Sequence, residues 1–129
     1  MLKHEKVTEM VIGCAYRVHN RMGYGFLESV YERCMAVELG KMGLKAESQR
    51  PITVYYEGQN VGEFVADLVV DGTIIIELKS VTRLVKAHEV QLVNYLTATR
   101  TDVGLLLNFG PEKVEVKRKF RLPRSQPDF

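Results

Sequence analysis

This sequence lacks any long hydrophobic run. No stretch approaches the ~18 continuous apolar residues that a membrane-spanning helix requires. The first ten residues, MLKHEKVTEM, contain no apolar core of the kind that a signal peptide has. We therefore expect a cytoplasmic protein without a membrane partner.

Cysteine is scarce, since Cys14 and Cys34 are the only two. Both fall within helical patterns, and they show neither C-x-x-C spacing nor pairing with histidine. We expect them to be free, buried and reduced, as is usual in a cytoplasm.

Excess charge of one sign is also lacking. The net charge of +2 is too small to attract nucleic acid in bulk, so only local clusters of basic residues could do so. The content of 46% hydrophobic and 26% charged residues is typical of a soluble globular protein. The chain has no repeats, low-complexity tracts or linkers, and its length predicts a single domain over residues 1–129, with a basic C-terminal tail from about residue 117.

The spacing of apolar residues predicts an α+β protein. Helical periodicity covers about residues 4–20, 27–42 and 85–99. A period of two begins near residue 47 and predicts an antiparallel meander over 47–79, with a turn at 57–60. The apolar run at 102–109 is typical of a strand covered on both faces, and a weaker strand follows at 113–119. The order α-α-β-β-β-α-β indicates helices packed against a mixed central sheet.

The segment Asp67 to Lys79, DLVVDGTIIIELK, joins two of these strands. The apolar positions are even on both strands, namely Phe64, Ala66, Leu68, Val70, Ile74, Ile76 and Leu78. If all of them face one core, odd positions must pair with odd positions. A three-residue loop with Gly72 in the left-handed conformation gives this register, whereas a two-residue Asp-Gly turn does not. We therefore predict that Asp67, Glu77 and Lys79 share one face.

These residues suit the hydrolysis of phosphodiesters. Asp67 and Glu77 can hold a divalent cation such as Mg²⁺, with the backbone carbonyl of Leu78 as a further oxygen ligand. Lys79 can polarise the attacking water or stabilise developing charge. The alternative is an ordinary ion pair, because charged residues at the end of an apolar strand need a partner of some kind.

A second motif, Gly25-Phe26-Leu27-Glu28-Ser29-Val30-Tyr31, lies near the start of the second helix. Together with EFVADLVVDG, IIELKSV, HEVQLVNYL and GLLLNFG, it resembles the PD-(D/E)XK nuclease superfamily, and within it the small bacterial and archaeal group named for a GxxExxY motif. Ala66 replaces the proline of the superfamily name. The resemblance implies a restriction-endonuclease-like core and a nuclease that uses Mg²⁺ or Mn²⁺.

The resemblance also implies roles for individual residues. Asp67 matches the strand aspartate, and Glu77 to Lys79 match the E-x-K. Glu28 is similar to the helical acidic residue that completes the metal shell, while Gln91 and Tyr95 are similar to the Q-x-x-x-Y of RecB-type nucleases. The alternatives are a solvated helix position for Glu28 and a core-capping role for the other two.

Basic residues provide a candidate path for nucleic acid. Arg83, Lys86 and His88 follow the acidic strand and are expected to contact phosphates. Further basic residues cluster near the end, at Lys117, Arg118, Lys119, Arg121 and Arg124. The alternatives are protective lysines on a solvated edge strand and an exposed histidine at a helix start.

We therefore expect a metal-dependent nuclease acting on DNA or RNA. A second hypothesis is a nucleic-acid-binding or regulatory module that retains the fold and is catalytically silent or needs a protein partner. A third is an assembly subunit in which the charged cluster is a buried ion-pair network. Each of these three hypotheses is compatible with a homodimer.

Overall fold

The computed structural model describes residues 3–122, which form three helices and five strands. In chain order these are α1 (Glu5–Met22), α2 (Glu28–Lys41), β1 (Ala46–Tyr56), β2 (Gln59–Val70), β3 (Ile74–Lys79), α3 (Lys86–Thr99), β4 (Val103–Phe109) and β5 (Val114–Phe120). The predicted order is confirmed, and the weaker last strand is present. Within these residues every helix is too short or too polar to span a bilayer. Cys14 and Cys34 are free, but only Cys14 is fully buried.

The strands form one mixed sheet in the order β1-β2-β3-β4-β5. Neighbouring strands are antiparallel except β3 and β4, which are parallel and connected through α3. Helices α1 and α2 cover one face of the sheet, and α3 covers the other. Because β4 is covered on both faces, it is buried along its whole length, as its continuous apolar run predicted.

Two cores hold these layers together. On the larger one, Tyr31, Met35 and Leu39 of α2 recur every four residues and are fully buried. The smaller core lies under α3, which packs on β4 at Gly104. A Cβ at Gly104 would lie 2.9 Å from Leu92 Cδ1, so the absence of a side chain there allows the helix to approach the sheet.

The turn between β1 and β2 is shorter than predicted. Tyr56 pairs with Gln59, so the loop is Glu57-Gly58 rather than residues 57–60. Both loop residues have positive φ, 48° and 77°, as a two-residue hairpin turn of the type I′ class requires. The chain therefore returns into β2 at once, and the two strands form a long hairpin.

The expectation that all even positions of β2 face one core is wrong. Leu68 belongs to the core under α1 and α2, whereas Ala66 belongs to the core under α3, where the Phe64 ring also contacts Tyr95. The even-numbered side chains change from one core to the other at Asp67, which lies opposite Gln49. Because Gln49 has a φ of 55°, the pleat is interrupted there and the alternation of side chains is not continuous across it.

Residues 117–120 lie in β5, which corresponds to the strand predicted at 113–119, so the basic residues expected from about residue 117 begin within this strand. The strand forms because Val114 and Val116 pack against the larger core. Two of the basic residues are in ion pairs, Lys119 with Glu89 and Arg121 with Asp102. Arg124 lies outside the described residues.

Candidate active site

Strands β2 and β3 separate at Asp67 and Glu77, whose side chains take over the hydrogen bonding between the strands. Backbone pairing ends at Leu68 and Ile76. Beyond that point the Asp67 N–H donates to Glu77 Oε2 at 2.9 Å, and the Leu78 N–H donates to Asp67 Oδ2 at 2.8 Å. Each carboxylate is thus anchored by the opposite strand, and the two side chains lie next to each other.

The loop that sets this register is the predicted one. Val70 pairs with Ile74, which leaves residues 71–73 as a three-residue loop, and Gly72 has a φ of 66°. Asp71 also has a positive φ, and its Oδ1 accepts a hydrogen bond of 2.9 Å from the Lys45 N–H. The loop is therefore tied to the start of β1.

Burial raises the pKa of both carboxyl groups, and the charge of Asp67 raises that of Glu77 further. Glu77 is only 6% exposed, and its pKa rises to about 8, first through burial and then through the charge of Asp67. Burial also raises the pKa of Asp67, against the opposing effects of the Leu78 N–H and Lys79. Within residues 3–122 the Lys79 ammonium belongs to no ion pair. The negative charge of the pair is therefore one that a cation would stabilise.

Tyr95 of α3 belongs to the smaller core and lies close enough to the carboxylates to interact with their charges, and Gln91 lies beside it. Gln91 hydrogen-bonds to Tyr95, which is itself 7% exposed. Burial raises the pKa of the Tyr95 hydroxyl, and the charges of Glu77 and Asp67 raise it further. Since residues four apart share a helix face, both side chains approach the site together.

Helix α2 contributes two more carboxylates. Glu28, the first residue of the helix, is exposed, and its charge is among those that raise the pKa of Glu77. One turn later, Glu32 Oε1 accepts a hydrogen bond of 2.6 Å from Gln49, which also hydrogen-bonds to Asp67. Sequence reasoning missed both Glu32 and Gln49. Glu32 could have been found from its spacing of four residues after Glu28, whereas no local pattern indicates Gln49.

A comparison with protein families matches residues 5–119 to the PD-(D/E)XK nuclease superfamily. The chain belongs to the PD-(D/E)XK nuclease superfamily. A solved structure, the crystal structure of SSO0001, shares the fold with a TM-score of 0.61 at 18% sequence identity. The match covers 93% of this chain and 60% of that chain, so the present chain spans less than two thirds of its length. No curated protein sequence matches the chain.

PD-(D/E)XK nucleases generally use divalent metal ions, and the donors here fit such an ion. Two anchored carboxylates and the Leu78 carbonyl are the hard oxygen ligands that Mg²⁺ and Mn²⁺ prefer. Within the described part of the chain no three acidic, histidine or cysteine side chains converge into a metal-binding group. The charge of Glu28 acts on Glu77, but Glu28 does not complete such a group with Asp67 and Glu77.

The motif from Gly25 to Tyr31 builds the loop before α2 in this PD-(D/E)XK chain. Gly25 has a φ of 113°, a conformation that side chains rarely permit. Tyr31 stacks on Phe109 with ring centroids 4.4 Å apart, and its hydroxyl donates to a carbonyl of the loop. Ser80 Oγ donates to the Phe26 carbonyl at 2.8 Å. The motif therefore fastens the start of α2 to the end of β3.

A buried asparagine holds the segment that follows β3. Asn108 Oδ1 accepts from the Val81 N–H, and its Nδ2 donates to the Val81 carbonyl, both at 2.9 Å. Nδ2 also donates to Glu115, which accepts from the Leu84 N–H as well. Sequence reasoning missed Asn108, because its strand was interpreted only as an apolar run.

The residues expected to contact phosphate differ in their surroundings. Arg83 and Lys86 are exposed between β3 and the first turn of α3. His88 Nδ1 accepts a hydrogen bond of 3.2 Å from the Val85 N–H, so this histidine caps the start of α3. That geometry agrees with the alternative interpretation of His88 as a residue of the helix start.

Proposed function

We propose that this chain is a divalent-metal-dependent nuclease that hydrolyses phosphodiester bonds in DNA or RNA. The observation that carries the proposal is the reciprocal anchoring of Asp67 and Glu77 by backbone N–H groups, with Lys79 beside them and outside any described ion pair. We assign Mg²⁺ or Mn²⁺ as the cofactor. The motif from Gly25 to Tyr31 supports placing the chain in the GxxExxY group.

When bound, the cation would neutralise phosphate charge and lower the pKa of a neighbouring water. Asp67, Glu77 and the Leu78 carbonyl would hold it, and the hydrogen bonds between the strands keep both carboxylates in place. Lys79 orients the attacking water and stabilises the negative charge that develops on the phosphate. Glu28 acts on the site through a water, because its charge acts on Glu77 although it forms no metal-binding group with the two carboxylates.

The α3 residues position the substrate. With its raised pKa, the Tyr95 hydroxyl remains protonated at neutral pH and can donate to a phosphate oxygen. Gln91 keeps that hydroxyl in place. Arg83, Lys86 and His88 guide the phosphate backbone along the start of α3, where the first two are exposed and His88 also caps the helix.

A cleavage assay in Mg²⁺ and in Mn²⁺ tests the proposal, with single-stranded DNA, duplex DNA and RNA as substrates. Lys79→Ala should abolish metal-dependent cleavage. Lys113→Ala, which removes an exposed lysine from the loop between β4 and β5, is the matched control and should cleave as the wild type does. Equal cleavage by Lys79→Ala and the wild type would assign the activity to another site or to a contaminant.

A second candidate function is a nucleic-acid-binding module that needs a partner for cleavage. It is supported by the limited ligand set, since no group of three metal-binding side chains is present within residues 3–122. Salt-sensitive binding without cleavage in either metal would support this candidate, whereas an absence of binding would exclude it.

A further inference from the structure

A groove of about 750 Å³ lies between α3 and the β1–β2 hairpin. We call it the α3 groove. Its lining is mainly apolar and includes Val54, Phe64, Ala87, Val90, Asn94 and Ala98. The volume is within the range of small-molecule sites. Gln91 and Tyr95 also line it, and Tyr95 connects the groove to the proposed active site, because the charges of Glu77 and Asp67 act on its hydroxyl.

Phe64 provides the aromatic wall of the α3 groove. Its ring lies 5.5 Å from that of Tyr95, yet 45% of Phe64 is exposed. Gly62 makes room for this ring, because a Cβ there would lie 3.3 Å from it. An exposed aromatic ring in an apolar groove offers a stacking surface to any nucleobase, whatever its identity.

Polar groups stand at defined places around this wall. The amides of Gln91 and Asn94 are exposed and supply both donors and acceptors, which the edge of a base can pair with. Lys86 adds a cation at the start of α3, where it can contact a phosphate. A flat apolar wall, two amides and a cation match the parts of one nucleotide.

We propose that the α3 groove binds a single unstacked nucleobase next to the phosphate held at the carboxylates, so that the protein selects single-stranded nucleic acid over intact duplex. The proposal rests on the proposed nuclease function. In a duplex the base is paired and stacked, and it must be flipped out at a cost in free energy before it can enter the groove. A single strand presents its bases without that cost.

Fluorescence anisotropy of labelled oligonucleotides tests this proposal. Ca²⁺ replaces Mg²⁺, and single-stranded DNA, single-stranded RNA and blunt duplex DNA of equal length are compared at one salt concentration. We expect both single strands to bind about tenfold tighter than the duplex. Phe64→Ala should weaken single-strand binding about tenfold, which is the scale of losing one stacked base.

Two further variants separate this effect from a loss of folding. Ala87→Trp fills the groove from an exposed position of α3 and should weaken single-strand binding as much as Phe64→Ala does. Tyr56→Ala removes a 65% exposed aromatic from the same hairpin, away from the groove lining, and should change binding less than about twofold. Circular dichroism confirms that each variant is folded.

A set of oligonucleotides with one abasic site each locates the bound base. An abasic site at one position should lower the affinity of the wild type about tenfold. With the abasic site at that position, Phe64→Ala should cause no further loss of affinity. Equal binding of single strands and duplex would overturn the proposal. Wild-type affinity in both groove variants would also overturn it. If size-exclusion chromatography then showed that these variants convert a dimer to a monomer, the groove would be a contact between two copies of the chain and the proposal would still fail.

Cleavage of the same oligonucleotides in Mg²⁺ separates the two hypotheses. If the wild type cuts duplex and single strands equally and the groove variants cut normally, the groove proposal fails and the nuclease function stands. If no metal supports cleavage while single-strand binding still depends on Phe64, the nuclease function fails and binding in the α3 groove is supported.

Discussion

Glu77→Gln should stabilise the metal-free protein at alkaline pH and have much less effect near pH 5. The pKa of Glu77 is about 8 in the folded protein, against an ordinary value of 4.5. Between these pH values the folded protein keeps a proton that the unfolded chain has lost, so wild-type stability falls as the pH rises to about 8. Glutamine cannot ionise, and its side-chain oxygen can still accept the hydrogen bond from the Asp67 N–H.

The size of the effect follows from the same shift. A pKa raised from 4.5 to about 8 corresponds to ~5 kcal/mol of stability lost when Glu77 ionises. Water entry and relaxation of the separated strands reduce such costs. We therefore expect Glu77→Gln to raise the free energy of unfolding by ~2 kcal/mol at pH 9, with most of this gain absent near pH 5.

Urea unfolding followed by circular dichroism, at both pH values and without divalent cations, measures this difference. Glu63→Gln changes an exposed glutamate of β2 and is the matched control, with an expected effect below ~0.5 kcal/mol. Adding Mg²⁺ at pH 9 should stabilise the wild type more than Glu77→Gln, because the cation binds the carboxylate pair. If Glu77→Gln instead lowers stability at pH 9, the carboxylate is held in a favourable ion pair and the cluster is not a cation site.

Three predictions concern the residues that position the site. Gly104→Ala brings a Cβ into contact with α3 and should cost ~1–3 kcal/mol in urea unfolding, whereas Gly40→Ala on α2, where nothing lies within 4 Å, should be neutral or stabilising. Asn108→Ala unpairs the backbone of Val81 and should cost ~2 kcal/mol, with faster hydrogen exchange at the Val81 N–H. Tyr31→Phe removes the hydroxyl bond to the loop and should lower stability by ~1 kcal/mol, measured by thermal unfolding.

Local patterns in the sequence were sufficient to predict most of the fold. Periods of 3.6 and two indicated the order of the elements, because each helix and strand buries one face or both. Turn chemistry gave the loop at residues 71–73, since only a left-handed residue at Gly72 satisfies the register that the apolar positions require. From that register, the approach of Asp67 to Glu77 could be predicted.

Features that depend on distant contacts could not be predicted in this way. The alternation of side chains changes at Asp67 because Gln49, on the neighbouring strand, has a positive φ that its residue type does not favour. The link from Glu32 through Gln49 to Asp67 joins three elements and has no sequence spacing. The role of Asn108 likewise follows from a loop that returns to it after β3.

The motif from Gly25 to Tyr31 has a consequence for recognising relatives of this chain. Its glycine and tyrosine fix a loop and a buried ring stack against Phe109, and neither contact involves Asp67 or Lys79. A descendant could lose the lysine and still retain this glycine and tyrosine, because selection for folding alone would preserve them. The two residues are thus markers of shared ancestry and architecture, and the retention of activity in any relative is better judged at the positions of Asp67, Glu77 and Lys79.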